Sequence, residues 1–161
     1  MASDDSRTRS RQQLLIVALQ DLWQARRVVR DRMASIEDAT VDPETRAVLR
    51  DIRVSASAEQ DILVDLACDA GDTPNLWAVG ILDDACRDVA TTQQGAVRDI
   101  ALIGAIRKLL AADIVSIETA LQLGLPHGST ERYRLAKLQT DAGDRDRYLL
   151  ARLKALTRES A

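Results

Sequence analysis

The sequence predicts an all-α protein, an up-down bundle of four long helices with a shorter extra helix in the crossover between the second and third. Three observations carry this prediction. The composition is 46% hydrophobic and 29% charged, with three prolines and no phenylalanine, which favours long helices over strands. Apolar residues recur at alternating steps of four and three from Leu15 onward, the period of an amphipathic helix. The 161 residues also match the usual size of one domain.

The first two long helices each carry an apolar stripe with a polar interruption. In the first, Arg26 stands where the spacing predicts an apolar side chain. The other members of that stripe are Leu15, Leu19, Leu22, Val29, Met33 and Ile36. Asp42 and Pro43 predict the N-cap and the first residue of the second helix, which we expect to end near residue 70. Its stripe consists of Val48, Ile52, Ser55, Glu59, Ile62 and Leu66.

The remaining helices follow the same pattern. A shorter helix is predicted from about residue 75 to 94, with Trp77, Ile81, Leu82, Ala85, Cys86 and Val89 facing inward. The third long helix ends at Gly124, and its stripe is polar only at Asp113. The last long helix places Asp141 and Arg145 near its middle. Its apolar positions are Leu135, Leu138, Ala142, Leu149, Leu153 and Leu156. An up-down pair, a crossover and a second pair is the topology of ferritin-like bundles.

The rest of the chain constrains location and partners. Residues 1–10 are polar and charge-mixed, so we predict a flexible tail, with residues 11–158 forming a single bundle domain. No segment resembles a signal peptide or a membrane span, so we expect a cytoplasmic protein without membrane contact. The net charge of −3 gives no basic field for nucleic acid. Cys68 and Cys86 lie in apolar helical patterns and are predicted to be buried thiols.

Several strings resemble the bacterial ferritin-like family of the YciE/YciF type, a domain of unknown function. LLIVALQDLWQAR is similar to that family's opening LxDLYxAE, and VRDIALIGAIRKLL to its VRDAxLIAAxQKVEHYE. LAKLQTDAGDRDRYL is similar to a closing helix that carries a Glu pair followed by Asp-x-x-Leu. The resemblance covers about residues 14–153. It implies a ferritin-like four-helix bundle, paired into dimers in a stress-related setting, whose carboxylates and histidines can hold two metal ions.

The resemblance also implies where the metal ligands would stand, and this chain departs from the pattern. Arg26 replaces the Glu of the first helix. The His and Glu-Glu run of the second helix corresponds to Arg53, Ser55 and Ala56. The Glu-His-Tyr-Glu string of the third long helix corresponds to Leu110, Ala111, Ala112 and Asp113. The Glu pair of the last helix corresponds to Asp141 and Ala142.

A classical di-iron site is therefore not expected. Such a site needs about six ligands, with a Glu-x-x-His motif from each of two helices. The single histidine, His127, follows Pro126 in a predicted loop, and an arginine at position 26 would repel a metal cation. No Gly-x-Ser-x-Gly turn is present either, so nucleophilic catalysis has no support.

We interpret the polar interruptions as one buried network, because an arginine can satisfy two carboxylates in an apolar core. Its predicted members are Arg26, Ser55, Glu59, Asp113, Asp141 and Arg145. Two other interpretations remain open. The charges could lie on the bundle surface, or three carboxylates could hold iron or another divalent metal in a reduced site. The residues of that reduced site would be Glu59, Asp113 and Asp141.

Three hypotheses for function follow. The first is a non-catalytic ferritin-like protein without metal or other cofactor, acting through its surface as a homodimer or with an unidentified protein partner. The second is a metal-dependent oxidoreductase that uses the reduced carboxylate site. The third is a binder of a small apolar ligand in the bundle core. That pocket would be lined by Ala56, Ala111, Ala112 and Ala142.

Overall fold

The computed structural model describes residues 10–159, and in that range the chain forms five α-helices and no strands. They are α1 (Arg11–Ala39), α2 (Pro43–Ala67), α3 (Leu76–Thr91), α4 (Ala96–Gln122) and α5 (Thr130–Glu159). The pairs α1/α2 and α4/α5 make the most extensive contacts, and α3 packs against α4 and α1. The prediction of an all-α bundle with a shorter helix in the crossover is confirmed.

The first two helices begin at side-chain caps. Ser10 accepts a hydrogen bond from the Gln13 backbone N–H, and the Gln13 side chain accepts one from the Ser10 N–H. This reciprocal capping box makes Ser10 part of the folded domain, one residue earlier than predicted; the rest of the predicted tail, residues 1–9, lies outside the described residues. Asp42 caps α2, and Pro43 is the first residue of that helix, as its fixed φ favours.

The buried side chains form two apolar clusters along the bundle axis. The larger one surrounds Met33, Ile52 and Ile106, and the smaller one surrounds Leu22 and Ile117. On α2 the buried face is offset from the predicted stripe. It contains Thr45, Leu49, Ile52, Ala56, Glu59, Gln60, Leu63 and Ala67. Four predicted members, Val48, Ser55, Ile62 and Leu66, are half-buried at its edge. The offset arises because α2 packs on both α1 and α5.

A polar corner ties the α1–α2 turn to the other two long helices. The buried Asp99 carboxylate of α4 accepts hydrogen bonds from the backbone N–H groups of Val41 and Asp42, at 3.0 and 2.7 Å. Arg152 of α5 donates to both Asp42 oxygens. Burial by itself would raise the pKa of Asp42, but hydrogen bonds from Arg152 and Thr45 outweigh it and lower the pKa to about 2.

The two cysteines are free thiols, but neither is fully buried as the sequence predicts. Cys86 is half-buried and packs against the larger cluster. The prediction of a buried Cys68 is wrong, because α2 ends at Ala67 rather than near residue 70 and Cys68 is its exposed C-cap. Its φ of 60° is the left-handed conformation that commonly ends a helix and that glycine adopts most easily.

Candidate functional site: a buried arginine–carboxylate network

Arg26 lies at the centre of the bundle, with only 6% of its surface exposed. Its side chain reaches across to two other helices. The Nε–H donates to Glu59 Oε2 of α2 at 3.0 Å. The two terminal nitrogens donate to Asp113 of α4, one to each carboxylate oxygen, and the Nη2–Oδ2 distance is 2.8 Å. A bidentate arginine–carboxylate pair of this kind fixes geometry as well as charge.

Arg145 of α5 extends the network to the fourth long helix. It donates to Glu59 Oε1 at 3.1 Å and to the Ser55 hydroxyl at 2.7 Å. Its Nε–H donates to the exposed Asp51 at 2.8 Å. Glu59 is therefore held between two guanidinium groups, one on each carboxylate oxygen. The network runs from the buried centre at Arg26 to the bundle surface at Asp51.

The charges of the network compensate one another. Two arginines face two buried carboxylates, one charged residue from each long helix. Burial disfavours the charged form of Arg26, but Asp113 and Glu59 outweigh this effect and raise its pKa above the ordinary value. Burial would likewise raise the pKa of Glu59, yet the positive charges of Arg26 and Arg145 lower it. Arg26, Glu59 and Arg145 are thus expected to stay ionised at neutral pH.

The structure brings together five of the six residues that the sequence predicts for this site: Arg26, Ser55, Glu59, Asp113 and Arg145. Asp141 is the exception and corrects that prediction. Both of its oxygens accept hydrogen bonds from Lys137, one turn earlier on α5, at 2.9 and 2.8 Å. The neighbouring Ala142 takes the inward position instead. The alternative interpretation placed these charges on the bundle surface, but Arg26, Glu59 and Asp113 are buried. Only Asp51, at the outer end of the network, is exposed.

This donor set does not fit a di-metal centre. Each oxygen of Glu59 and Asp113 already accepts a hydrogen bond from a guanidinium, and both oxygens of Asp141 are paired with Lys137 instead. A metal ion at the same place would have to displace Arg26 and share the core with its positive charge. Among residues 10–159, no group of three or more His, Cys, Asp and Glu side chains is placed to hold a metal ion.

A small cavity borders the network on its apolar side. Its volume is about 30 Å³, enough for a water molecule. Its wall is formed by Ala25, Arg26, Val29, Ile52, Ala56, Glu59, Trp77, Leu109, Leu110, Asp113 and Arg145. Of the four alanines predicted to line a pocket, only Ala56 does so. Ala142 of α5 is buried but does not border the cavity. On α4, Ala111 is exposed and Ala112 is half-buried, because that helix turns Leu110 toward the centre instead.

Sequence reasoning missed two residues of the site. Asp51 lies one helical turn before Ser55 on α2, so helical spacing alone could have placed it beside Arg145. Trp77 of α3 borders the cavity, and its indole N–H donates to Asp21 at 3.2 Å. No sequence signal links Trp77 to the network, because the contact depends on how the short helix crosses α1 and α4.

Fold and site together define an all-α bundle of four long helices and one shorter helix, whose centre is occupied by ion-paired side chains. The solved crystal structure of the E. coli stress protein YciF is similar to this chain, with a TM-score of 0.87. The similarity covers 94% of this chain and 99% of that one, at 16% sequence identity. No protein-family model matches the sequence, and no curated protein matches it significantly. In the described part of the chain, no helix is long and apolar enough to cross a membrane.

Proposed function

We propose that this chain is a non-catalytic, metal-free ferritin-like protein that acts as a structural or interaction module, as a homodimer. One observation carries the proposal. The Arg26 guanidinium fills the space between the two buried carboxylates, Glu59 and Asp113, that are the best candidates for metal ligands. A side chain with a permanent positive charge thereby supplies the compensation that a bound metal would otherwise provide.

The network favours a structural role over a catalytic one. A carboxylate that acts as a general acid or base needs a pKa near the working pH, whereas the pKa of Glu59, despite its burial, is lowered by Arg26 and Arg145. Every buried side-chain nitrogen and oxygen atom of the described residues has a hydrogen-bond partner. A network in which all groups are satisfied specifies how helices align, and contributes less to stability than an apolar core of the same volume.

A role in a stress response is part of the proposal and rests on similarity of fold. The E. coli protein is called a stress protein, and this chain adopts a closely similar fold. A surface-acting module needs no conserved chemistry in its core, so the loss of metal ligands is compatible with such a role. A small apolar ligand is disfavoured, because a cavity of about 30 Å³ is far below the roughly 300 Å³ of typical ligand sites.

Elemental analysis of protein purified from iron-supplemented and zinc-supplemented cells tests the proposal. We expect much less than one metal ion per chain. The Arg26→Glu variant restores an acidic residue beside Glu59 and Asp113 and is expected to gain metal, whereas the matched Arg30→Glu change on the exposed face of α1 is not. Stoichiometric metal in the native protein that is lost in Asp113→Ala would overturn the proposal in favour of a metal-dependent enzyme.

A further inference from the structure

A groove on the surface of the bundle lies between the first half of α1 and the turn that follows α2. Its volume is about 350 Å³, within the range of about 300–1,000 Å³ that is typical of small-molecule sites. Its lining has an apolar part and a part rich in hydrogen-bond acceptors, and it includes no basic side chain. The apolar side chains are Leu14, Val17 and Ala18, and the other lining residues are Gln20, Asp21, Gln24, Asp69, Gly71, Asp72 and Thr73.

Hydrogen bonds between the turn and α1 hold the groove in shape. The Gln24 Nε2 donates to the Gly71 carbonyl at 2.7 Å, and the Asn75 Nδ2 donates to the Asp21 carbonyl at 2.9 Å. Gly71 has a φ of 63°, and a Cβ at this position would lie 3.0 Å from the Gln20 side chain, so glycine lets the turn approach α1 closely. A groove that is already formed loses little conformational entropy when a ligand binds.

Gln24 carries a hydrogen-bond acceptor that the described chain leaves without a donor. Only 5% of this residue is exposed, and its one side-chain hydrogen bond is the one that Nε2 donates, so Oε1 has no partner among residues 10–159. Every fully buried side-chain oxygen in that range has a partner, so Oε1 must reach the open space of a groove that Gln24 lines. A second groove also borders Gln24, but Arg27 and Arg32 line that one and would repel a cation. A ligand that donates hydrogen bonds and carries positive charge therefore fits the first groove.

Three carboxylates give this groove a negative charge that the described chain does not compensate. Asp69 and Asp72 form no ion pair within residues 10–159, whereas the nearby Asp65 has an arginine partner at 3.1 Å. Asp21 accepts a hydrogen bond from the Trp77 indole N–H with one carboxylate oxygen, which leaves the other oxygen open. Asp69 and Asp72 also follow the C-terminus of α2, where the helix dipole disfavours negative charge and the last turn holds no basic residue. A bound cation would relieve this repulsion.

We propose that this groove binds a linear aliphatic polyamine, a small molecule whose ammonium groups are joined by short methylene chains. The ammonium groups donate hydrogen bonds to the three carboxylates and to Gln24 Oε1. The methylene chains cover Leu14 and Val17, which are 44% and 47% exposed in the free protein. The lining residues of α1 favour a linear ligand, because positions 14, 17, 18, 21 and 24 lie in one row about 15 Å long.

A compact metal ion fits the groove less well than a polyamine. Among residues 10–159, no three carboxylates, imidazoles or thiols converge closely enough to hold one metal ion, so a single ion cannot neutralise all three aspartates. Magnesium would also need nearly octahedral oxygen ligands and would leave the apolar part of the groove exposed. Charges spread along a flexible chain meet both conditions. The site goes beyond the proposed function and depends neither on the metal-free core nor on the homodimer.

Titration of the isotope-labelled full chain with spermidine at low ionic strength, followed by heteronuclear NMR, tests the assignment. We expect saturable shifts of the Gln24 side-chain amide and of the Trp77 indole N–H, which donates to Asp21. A Kd of about 0.1–1 mM is expected for a ligand of this size. It should rise with salt concentration, because the carboxylates are open to solvent. Magnesium chloride at the same concentration should not displace spermidine.

Two variants and a matched control locate the site. Asp69→Asn/Asp72→Asn removes two charges at nearly constant shape and should raise the Kd at least tenfold. Val17→Ser removes apolar contact from an exposed position and should raise it about threefold. Asp38→Asn, the same charge change at the exposed far end of α1, should leave it unchanged. Circular dichroism verifies the fold of each variant.

Three results would overturn the inference. The first is the absence of saturable shifts up to about 10 mM spermidine. The second is binding that Asp69→Asn/Asp72→Asn leaves unaltered, because the amine would then occupy another site. The third is displacement of spermidine by magnesium at equal concentration, which would make the groove a general cation surface. None of these results bears on the metal-free core, which elemental analysis decides.

Discussion

Replacing Arg26 with methionine should destabilise the protein more than any other single change in its centre. Arg26 makes three charged hydrogen bonds, two with Asp113 and one with Glu59, each worth about 1.5–3 kcal/mol. Their sum overstates the loss, since Glu59 keeps its bond from Arg145. Asp113 loses both of the hydrogen bonds that Arg26 donates to it and stays buried, so we expect a cost of about 3–4 kcal/mol, near the lower limit for breaking a buried pair.

Urea unfolding at pH 7, followed by circular dichroism, measures this cost. The double variant Arg26→Met/Asp113→Leu removes both charges of the pair, so no unpaired carboxylate is left in the core. It should recover at least about 2 kcal/mol of the stability that Arg26→Met loses. Arg30→Met, the same change one turn later on an exposed face, should cost less than about 1 kcal/mol. An Arg26→Met cost below about 1 kcal/mol, with an unchanged m value, would refute the view that Arg26 neutralises a buried carboxylate.

The remaining predictions concern the corner and the helix ends. The stabilisation from Asp42 is fully present above its unfolded pKa of about 3.9 and is lost as the pH falls through about 2. In Asp42→Asn, the free energy of unfolding should therefore fall by about 1 kcal/mol less between pH 5 and pH 2 than in the native protein. The amount is modest because Arg152 is partly exposed to screening solvent. Unfolding midpoints whose pH dependence is the same in both proteins would contradict this. Cys68→Gly should stabilise by about 1 kcal/mol and raise Tm by about 2–4 °C, since glycine accepts the left-handed C-cap; an unchanged or lower Tm would argue against strain there. Gly143→Ala should raise Tm by a similar amount, because the new Cβ meets only Arg147 at 3.6 Å; a lower Tm would mean that this contact is too close.

The helices and most of the network could be predicted because both depend on helical periodicity. Arg26, Glu59 and Asp113 each interrupt an apolar stripe near the middle of a long helix, so a bundle had to bring them to one level. The exception, Asp141, shows the limit of this reasoning. It lies beside the inward Ala142, and a Lys137 partner one turn away decides that its carboxylate turns outward. Spacing alone cannot distinguish a local pair from a longer one across the core.

Features that depend on how helices cross could not be read from the sequence. Asp99, in the first turn of α4, accepts hydrogen bonds from the α1–α2 turn. Nothing in the sequence distinguishes it from an exposed aspartate near the start of a helix. The exposed Cys68 reflects where α2 ends, which apolar periodicity leaves uncertain by a few residues. The offset of the buried face on α2 follows from its two neighbours, so only the assembled bundle determines it.

The central claim is that the Arg26 guanidinium, rather than a metal ion, lies between Glu59 and Asp113. Anomalous X-ray diffraction at the iron and zinc edges, on crystals grown with both metals, tests it most directly. We predict guanidinium density in hydrogen-bonding contact with both carboxylates and no anomalous peak in the bundle core. An anomalous peak about 2.0–2.2 Å from carboxylate oxygens of Glu59 and Asp113, with Arg26 turned away, would contradict it.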